Sequence, residues 1–225
     1  WCDSSNVWLP EDYIIKCSQE VDLNKFAGMD CYVGVDLAAT SDLTAVAYLV
    51  VLDGTYHFKT HYYLPESALK DKADKELYKY WKQQGYLTVT SGNVTDYDYI
   101  TTDMLRYADV VNIQSVGYDK YNATQWAIDS TEQGLPLEEY PQTLGNFNMP
   151  TRELERLILS GKAVIDNNEI NRYCFRNVTL KSDYNGNVKP NKAVDKKKID
   201  GTIAMIQALG MYLRTPHYTN EILTI

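Results

Sequence analysis

The order of apolar and polar positions in the first third of the chain predicts a small antiparallel sheet. Two β-branched apolar runs, CYVGVDL at 31–37 and LTAVAYLVV at 43–51, precede the alternating segment TYHFKTHYYL at 55–64. The dipeptide Asp53-Gly54 stands between the second and third runs and is typical of a tight hairpin turn. We therefore expect three antiparallel strands that follow one another along the chain.

The middle of the chain predicts helices that alternate with short strands. In order, these are a helix with Leu77, Tyr80 and Trp81 on its apolar face and Gly85 at its end, a helix over 98–110, a strand over 111–119, a helix over 123–133 and a strand in LPLEEYPQ. A strand, helix, strand unit implies parallel pairing through a right-handed crossover.

The last third predicts two helices and a hairpin. TRELERLILSG reads as an amphipathic helix with Thr151 as its N-cap, and Asn185-Gly186 marks the turn of a hairpin. IDGTIAMIQALGMYLR predicts a largely buried helix with Asp200 in its first turn. The sum is an α/β fold in which an antiparallel three-strand meander is extended by parallel strands and flanked by helices. This order is typical of the ribonuclease H-like fold.

Composition narrows the class of protein. The chain has 225 residues, a formal charge of −8 and no apolar stretch of membrane-spanning length. Its first residue is Trp1, which favours a piece of a longer polypeptide, and its four cysteines show no zinc-binding spacing. Domains that hold nucleic acid by bulk charge are usually basic, so we expect weak DNA affinity from this chain alone.

One segment runs against the acidic balance. Five lysines fall within ten residues: Lys189, Lys192, Lys196, Lys197 and Lys198. A solvated loop is the plain interpretation. The position of the run immediately before Asp200 favours contact with phosphate groups.

Three aspartates occupy positions where carboxylates can act together. Asp36 lies in the first predicted strand, Asp119 at the end of the fourth, and Asp200 at the head of the last helix. Neighbouring strands lie about 4.8 Å apart, so Asp36 and Asp119 would repel one another unless a cation intervenes. Mg²⁺ or Mn²⁺ suits such oxygen ligands, and two ions can hydrolyse a phosphodiester. Taken singly, each aspartate could instead end a strand, start a turn or cap a helix.

Longer motifs around these acids resemble a known family. FAGMDCYVGVDLAATSDLTAVAYLV resembles the first nuclease motif of tailed-phage terminase large subunits, including Asp42 six residues after Asp36. WKQQGYLTVTSGNVTDYDYI, VGYDKYNATQWA, the stretch from Gln142 through TRELERLILSGK, RNVTLKSDYNGNVKPNKA and KKKIDGTIAMIQAL follow that family's order and spacing. The resemblance covers residues 20 to 213.

The resemblance implies the C-terminal nuclease of a packaging terminase, which cuts concatemeric double-stranded viral DNA. It places the end of an ATPase region or a linker at 1–28, a ribonuclease H-like nuclease domain at 29–216 and a tail at 217–225. The implied partners are DNA, an N-terminal ATPase motor, the portal protein and the small terminase subunit, with no membrane. The implied location is the host cell cytoplasm, without secretion. The chain has no phosphate-binding loop of the G-x-x-x-x-G-K-[ST] type, so ATP hydrolysis is not expected of this piece.

Roles transfer to individual residues in the same way. Asp36, Asp119 and Asp200 become the catalytic residues and the ligands of two Mg²⁺ or Mn²⁺ ions, with Asp42 as a fourth ligand or a turn residue. The expected DNA-binding residues are Lys192, Lys196, Lys197, Lys198 and Asp183, the last on the hairpin beside the groove. A solvated loop and a plain surface hairpin are the alternatives for these positions.

Other functions stay open at this point. A junction resolvase or transposase would use the same acids on branched or end-specific DNA. A sugar-kinase or actin-like ATPase would need a glycine-rich loop after the first acid, and AATSDLTA contains no glycine. A non-catalytic module that docks the motor on the portal would keep the fold without cleaving DNA.

Overall fold

The structure is a computed structural model that describes residues 7–38, 42–70, 74–121, 123–194 and 197–216. Its helices are α1 (Glu11–Cys17), α2 (Lys75–Gln83), α3 (Tyr97–Ala108), α4 (Thr124–Glu132), α5 (Leu144–Leu159), α6 (Glu169–Arg176) and α7 (Asp200–Arg214). Its strands are β1 (Ser18–Gln19), β2 (Asp30–Asp36), β3 (Thr44–Leu52), β4 (Thr55–Pro65), β5 (Thr88–Thr90), β6 (Asn112–Tyr118), β7 (Leu137–Glu139), β8 (Ala163–Asp166), β9 (Val178–Ser182) and β10 (Val188–Lys192).

The main sheet confirms the predicted fold class. Its strand order is β1-β8-β4-β3-β2-β6-β7, and β5 also pairs with β4. Strands β2, β3 and β4 form the antiparallel meander, while β6 and β7 add in parallel beside β2. At the first hairpin, Asp53 and Gly54 both have positive φ, at 50° and 73°, as the tight turn requires. Strands β9 and β10 form the separate predicted hairpin.

Both faces of the central sheet are covered by helices. One core cluster joins α1, α5, α6 and α7 to side chains such as Tyr32 and Leu49, and the other joins α3 and α4 to Val33 and Val46. Because β2 and β3 are buried on both faces, their sequences are continuous apolar runs rather than alternating patterns.

Helix α7 lies unusually close to the two central strands. A Cβ atom at Gly34 of β2 would stand 2.1 Å from the Ala204 carbonyl oxygen and 2.4 Å from the Ala208 nitrogen. Gly34 pairs with Gly117 of β6, where a Cβ would stand 2.7 Å from Met211. The paired glycines therefore provide the space in which α7 crosses the sheet, and the helix is buried from Asp200 to Met211.

The start of helix α5 differs from the prediction. The helix begins at Leu144 rather than after Thr151, its N-cap is Thr143, and Pro150 lies inside it. Proline cannot donate the backbone hydrogen bond to the residue four positions earlier. Here that acceptor, the Asn146 carbonyl, receives the Tyr140 hydroxyl at 2.7 Å instead. The Tyr140 hydroxyl thus satisfies the carbonyl that the proline leaves free. Thr151 is a buried residue of the helix interior.

The N-terminal segment and α2 also differ from the sequence interpretation. Trp8, Leu9 and Ile14 are buried in the core, and β1 pairs with β8, within a segment that sequence suggested was linker. The domain boundaries themselves stay a prediction, and the tail at 217–225 lies outside the described residues. In α2, Tyr78 rather than Tyr80 joins Trp81 in the core.

Two further features concern chemistry expected from composition. Among the described helices, none combines the length and the apolar character needed to cross a bilayer. Cys17, Cys31 and Cys174 are buried free thiols.

A buried polar cluster surrounds His61 of β4. The imidazole Nε2 of His61 lies 3.1 Å from the Tyr107 hydroxyl. The pKa of His61 is lowered to about 4. Burial is the main cause and the nearby Lys59 charge adds to it, while Asp103 acts in the opposite direction. His61 is therefore neutral in the folded protein over a pH range in which the unfolded chain takes up a proton.

We expect Gly34→Ala to reduce the free energy of unfolding by about 3 kcal/mol, because the added Cβ overlaps the backbone of α7. Chemical denaturation measures this change. Gly145→Ala is the matched control, since nothing lies within 4 Å of its Cβ position. The control should change stability by less than about 1 kcal/mol, in the stabilising direction expected for a helical glycine. Equal effects at the two positions would contradict the close packing of α7.

The neutral His61 also predicts acid sensitivity. As the pH is lowered from 7 to 5, the unfolded chain binds a proton at this position and the folded chain does not. The free energy of unfolding therefore decreases by about 2 kcal/mol over this range. Denaturant titrations of wild type and His61→Gln at both pH values isolate this contribution, because the amide keeps a polar group beside Tyr107. The variant should lose about 2 kcal/mol less than wild type over this range. An identical pH dependence in the two proteins would refute the assignment.

Candidate functional site

Two of the predicted aspartates meet where parallel strands end together. Asp36 is the last residue of β2, and Asp119 directly follows the last residue of β6. The two strands are in parallel register up to the pair Val35 and Tyr118, so the aspartates come next on each strand. The carboxyl ends of parallel strands are the usual position for binding residues in open α/β sheets.

Asp200 reaches the same edge from the helix layer. It is the first residue of α7, which runs antiparallel to β2, so its N-terminus lies at the end of β2 that carries Asp36. Asp200 is only 7% exposed, and its Oδ2 atom is buried without a hydrogen-bond partner among the described residues. The Tyr62 ring closes the space beside Gly201, where a Cβ would overlap the Tyr62 hydroxyl, and that hydroxyl donates to Asn171 at 2.6 Å.

Gln142 connects the two strand-end aspartates. Its side-chain amide donates to Asp36 Oδ1 at 2.9 Å, and its backbone N–H donates to Asp119 Oδ2 at 2.9 Å. The segment that carries Gln142 is fixed because the Tyr140 N–H donates to the Tyr118 carbonyl at 2.6 Å, beyond the end of β7. The second Asp119 oxygen, Oδ1, accepts the Tyr121 N–H at 3.0 Å.

Crowding of carboxylates changes the acidity of the site. The pKa of Asp36 lies well above its usual range, because burial disfavours the charge and the neighbouring Asp200 carboxylate repels it. The Gln142 amide acts in the opposite direction by donating to the charged form. Burial, reinforced by Asp42, raises the pKa of Asp200 to about 7. This arrangement favours a positive charge placed between the carboxylates.

Asp42 joins the site together with two lysines of the basic run. Lys198 Nζ lies 2.6 Å from Asp42 Oδ1, and Lys192 Nζ lies 3.8 Å from Asp42 Oδ2. The charges of Asp42, Lys192 and Lys198 all act on the Asp200 carboxyl. Lysine ammonium groups therefore stand next to the acidic edge.

Lys189 is a third lysine at this edge. It lies on β10, and its Nζ donates to the Gln142 carbonyl at 3.0 Å. The hairpin of β9 and β10 is thereby tied to the same residue that connects Asp36 and Asp119.

The other expected DNA-binding residues have different surroundings. Lys197 Nζ lies 5.7 Å from the centre of the Tyr173 ring. The Asp183 carboxylate accepts the side-chain amide of Asn187 at 2.9 Å, and this bond is the main cause of its lowered pKa. It also accepts the backbone N–H groups of Asn185 and Asn187 at 3.0 and 2.9 Å. Asp183 thus stabilises the hairpin turn. Lys196 lies outside the described residues.

The donor set suits a divalent cation by chemistry. It consists of hard carboxylate oxygens, and the buried, unpartnered Asp200 Oδ2 is an acceptor that a cation would satisfy. Among the residues that the structure describes, no three carboxylate, imidazole or thiol side chains are grouped closely enough to form a metal site as they stand. In this conformation the Asp36 and Asp119 oxygens accept hydrogen bonds from Gln142, and Asp42 pairs with lysines.

Two contributors were not assigned a role from sequence. Gln142 marked only the start of a resembling stretch, and Lys189 was counted within the lysine run. One signal points to Gln142, because it follows the strand after Asp119 and parallel strands end at one edge of the sheet. Its contacts with Asp36 and Lys189, however, join positions about a hundred and about fifty residues apart along the chain.

Known proteins resemble this chain over most of its length. The family model described as terminase large subunit, endonuclease domain, matches residues 1–215. Protein YmfN of Escherichia coli (strain K12) is 32% identical over 206 residues, which cover 84% of this chain and 44% of YmfN. The terminase large subunit of Enterobacteria phage HK97 is 28% identical over 184 residues, which cover 80% of this chain and 36% of that protein. The chain thus spans less than half the length of these relatives.

Solved structures agree with the sequence comparisons. The crystal structure of the HK97 bacteriophage large terminase superposes with a TM-score of 0.81 at 25% identity, covering 91% of this chain and 43% of that chain. The large terminase nuclease from thermophilic phage G20c, crystallised with bound magnesium, shares the fold with a TM-score of 0.55 at 12% identity, over 80% of each chain. Since the family model covers nearly the whole sequence, the chain belongs to the terminase large subunit endonuclease domain family.

Proposed function

We propose that this domain is a Mg²⁺- or Mn²⁺-dependent endonuclease that cuts concatemeric double-stranded DNA during viral genome packaging. The observation that carries the proposal is the meeting of Asp36, Asp119 and Asp200 at one sheet edge, where Asp200 has a buried and unpartnered oxygen. The magnesium bound by the related G20c nuclease supports the choice of cation.

The residues that would hold two divalent ions are Asp36, Asp119 and Asp200, with Asp42 as the fourth candidate. When bound, such ions supply activation of a water molecule and stabilisation of the leaving 3′ oxygen. The site attracts cations, because the Asp200 and Asp42 carboxylates disfavour the charge of Asp36 and Asp42 also disfavours the charge of Asp200. The close packing of α7 against β2 fixes Asp200 relative to Asp36, so these two ligands are held by the core of the domain.

The lysines would bind the DNA backbone beside the acids. Lys192 and Lys198 lie next to Asp42, and Lys189 next to Gln142, so three ammonium groups border the acidic edge. Phosphate contacts carry no base information, and we therefore expect cutting with little sequence preference. Lys196 and Lys197 extend the basic run, and Asp183 contributes by holding the hairpin turn rather than by touching DNA.

The wider role follows from the family and from the length of its members. We propose that a longer chain supplies an ATPase motor before this domain, with residues 1–28 leading into the nuclease at 29–216 and a tail at 217–225. The portal protein and the small terminase subunit are the proposed partners in the host cell cytoplasm. The net charge of −8 supports a need for such partners, because it weakens the hold of this domain on DNA.

Removing any of the three aspartates should abolish cleavage. We expect Asp36→Asn, Asp119→Asn and Asp200→Asn each to slow the nicking of supercoiled plasmid in Mg²⁺ or Mn²⁺ at least about 100-fold, the upper end of the loss for residues one shell further from a metal. EDTA should stop the wild-type reaction.

The matched control for these variants is Asp30→Asn. Asp30 begins the same strand that Asp36 ends, and it accepts hydrogen bonds from Asn112 and Gln114. The control should cut at the wild-type rate. Wild-type protein that is folded but leaves plasmid intact under every metal would contradict the nuclease proposal and favour a docking module. Preferential cutting of branched duplexes would favour a resolvase instead.

The lysines should affect DNA binding more than chemistry. Lys192→Gln and Lys198→Gln should each weaken duplex binding and reduce the dependence of log affinity on log salt by about one. Fluorescence anisotropy over a series of salt concentrations, in EDTA, measures both quantities. Lys79→Gln is the control, because Lys79 pairs with Glu76 on α2. An unchanged salt slope in both site variants would show that these lysines do not meet phosphates.

A further inference from the structure

Gln142 makes three hydrogen bonds at the acidic edge, where Asp36 and Asp119 end their strands. The side-chain amide holds Asp36, the backbone N–H holds Asp119, and the backbone carbonyl accepts from Lys189. The three bonds measure 2.9, 2.9 and 3.0 Å, so each has ordinary, unstrained geometry. One residue thus joins two candidate metal ligands to the strand that carries the candidate phosphate-binding lysines.

We propose that Gln142 is a positioning residue, which holds the Asp36 carboxylate in the orientation that binds the metal and links it to Asp119 and the β10 lysine. This inference rests on the proposed nuclease function. Residues that hydrogen-bond to metal ligands restrict the ligand rotamer, and their loss typically weakens metal binding by about 10- to 100-fold.

The contact of Gln142 with Asp36 can be removed without removing its other two hydrogen bonds. Only the bond to Asp36 uses the side chain, while the bonds to Asp119 and Lys189 use backbone atoms that every substitution keeps. The neighbouring Tyr140 anchors the segment independently, through its backbone bond to Tyr118 and its hydroxyl bond to Asn146. A change at Gln142 therefore removes one defined contact and leaves the loop in place.

The chain contains a comparable glutamine–aspartate pair that is distant from the candidate metal ligands. Gln114 of β6 donates its side-chain amide to Asp30 Oδ1 of β2 at 2.9 Å, at the opposite end of the strand pair. The donor, the acceptor and the distance are the same as for Gln142 and Asp36. Gln114→Met therefore removes a glutamine–aspartate hydrogen bond of the same length without touching a candidate metal ligand.

The test is titration calorimetry of MnCl₂ into wild type, Gln142→Met and Gln114→Met without DNA, together with plasmid cleavage as a function of Mn²⁺ concentration. Gln142→Met should bind Mn²⁺ about tenfold more weakly and need correspondingly more metal for half-maximal cleavage. Its affinity for duplex in EDTA should match wild type. Gln114→Met should match wild type in every measurement. Gln142→Ala, which removes the same bond without filling its space, should reproduce the loss.

Three results would overturn the inference in different ways. Wild type that binds Mn²⁺ and cuts, with Gln142→Met and Gln142→Ala binding Mn²⁺ equally well, refutes the positioning role and leaves the nuclease intact. Wild type that neither binds Mn²⁺ nor cuts refutes the proposed function and the inference with it. A loss of Mn²⁺ affinity of equal size in Gln114→Met would assign the effect to the sheet as a whole and also refute the role.

Discussion

The close approach of α7 to β2 and β6 determines the position of the acidic edge, where Asp36, Asp119 and Asp200 lie. Gly34 and Gly117 stand opposite one another on the two strands. Without a side chain, Gly34 lets the backbone of α7 contact the sheet directly, and Gly117 leaves room for the Met211 side chain of the helix. Because α7 runs antiparallel to β2, its first residue lies where β2 ends. The same contact that fills the core therefore brings Asp200 to Asp36, and a loss of core packing would also separate the acids.

This construction places a carboxyl group in surroundings that disfavour its charge. Burial raises the pKa of both Asp36 and Asp200, and nearby carboxylates raise it further: Asp200 acts on Asp36, and Asp42 acts on both. The neighbouring groups offset part of this cost. The Gln142 amide donates to Asp36, and the ammonium groups of Lys192 and Lys198 flank Asp42. A site that is stabilised by positive charge and by hydrogen-bond donors is suited to a divalent cation and to a phosphate backbone.

The charge distribution also separates local from long-range behaviour. The chain as a whole is acidic at −8, while the lysines at the acidic edge are concentrated on β10 and before α7. Long-range attraction of DNA depends on total charge and falls with salt, whereas contact with a phosphate depends on the few groups beside it. This charge distribution supports the proposal that another part of a longer protein holds the DNA, and the two relatives above are more than twice as long as this chain.

The sequence by itself predicted the central strands, the β9–β10 hairpin and the last helix, and it singled out the three acids by their positions. Buried strands appear as continuous apolar runs, turns as Asp-Gly or Asn-Gly pairs, and an aspartate within an apolar strand stands out because burying a charge is costly. Only the folded structure decided the start of α5, where the hydroxyl of Tyr140, six residues before its acceptor Asn146, satisfies the carbonyl that Pro150 leaves free. It also decided that Gln142 lies beside Asp36 and Asp119, because hydrogen bonds between residues far apart in the chain follow from packing and leave no local pattern in the sequence.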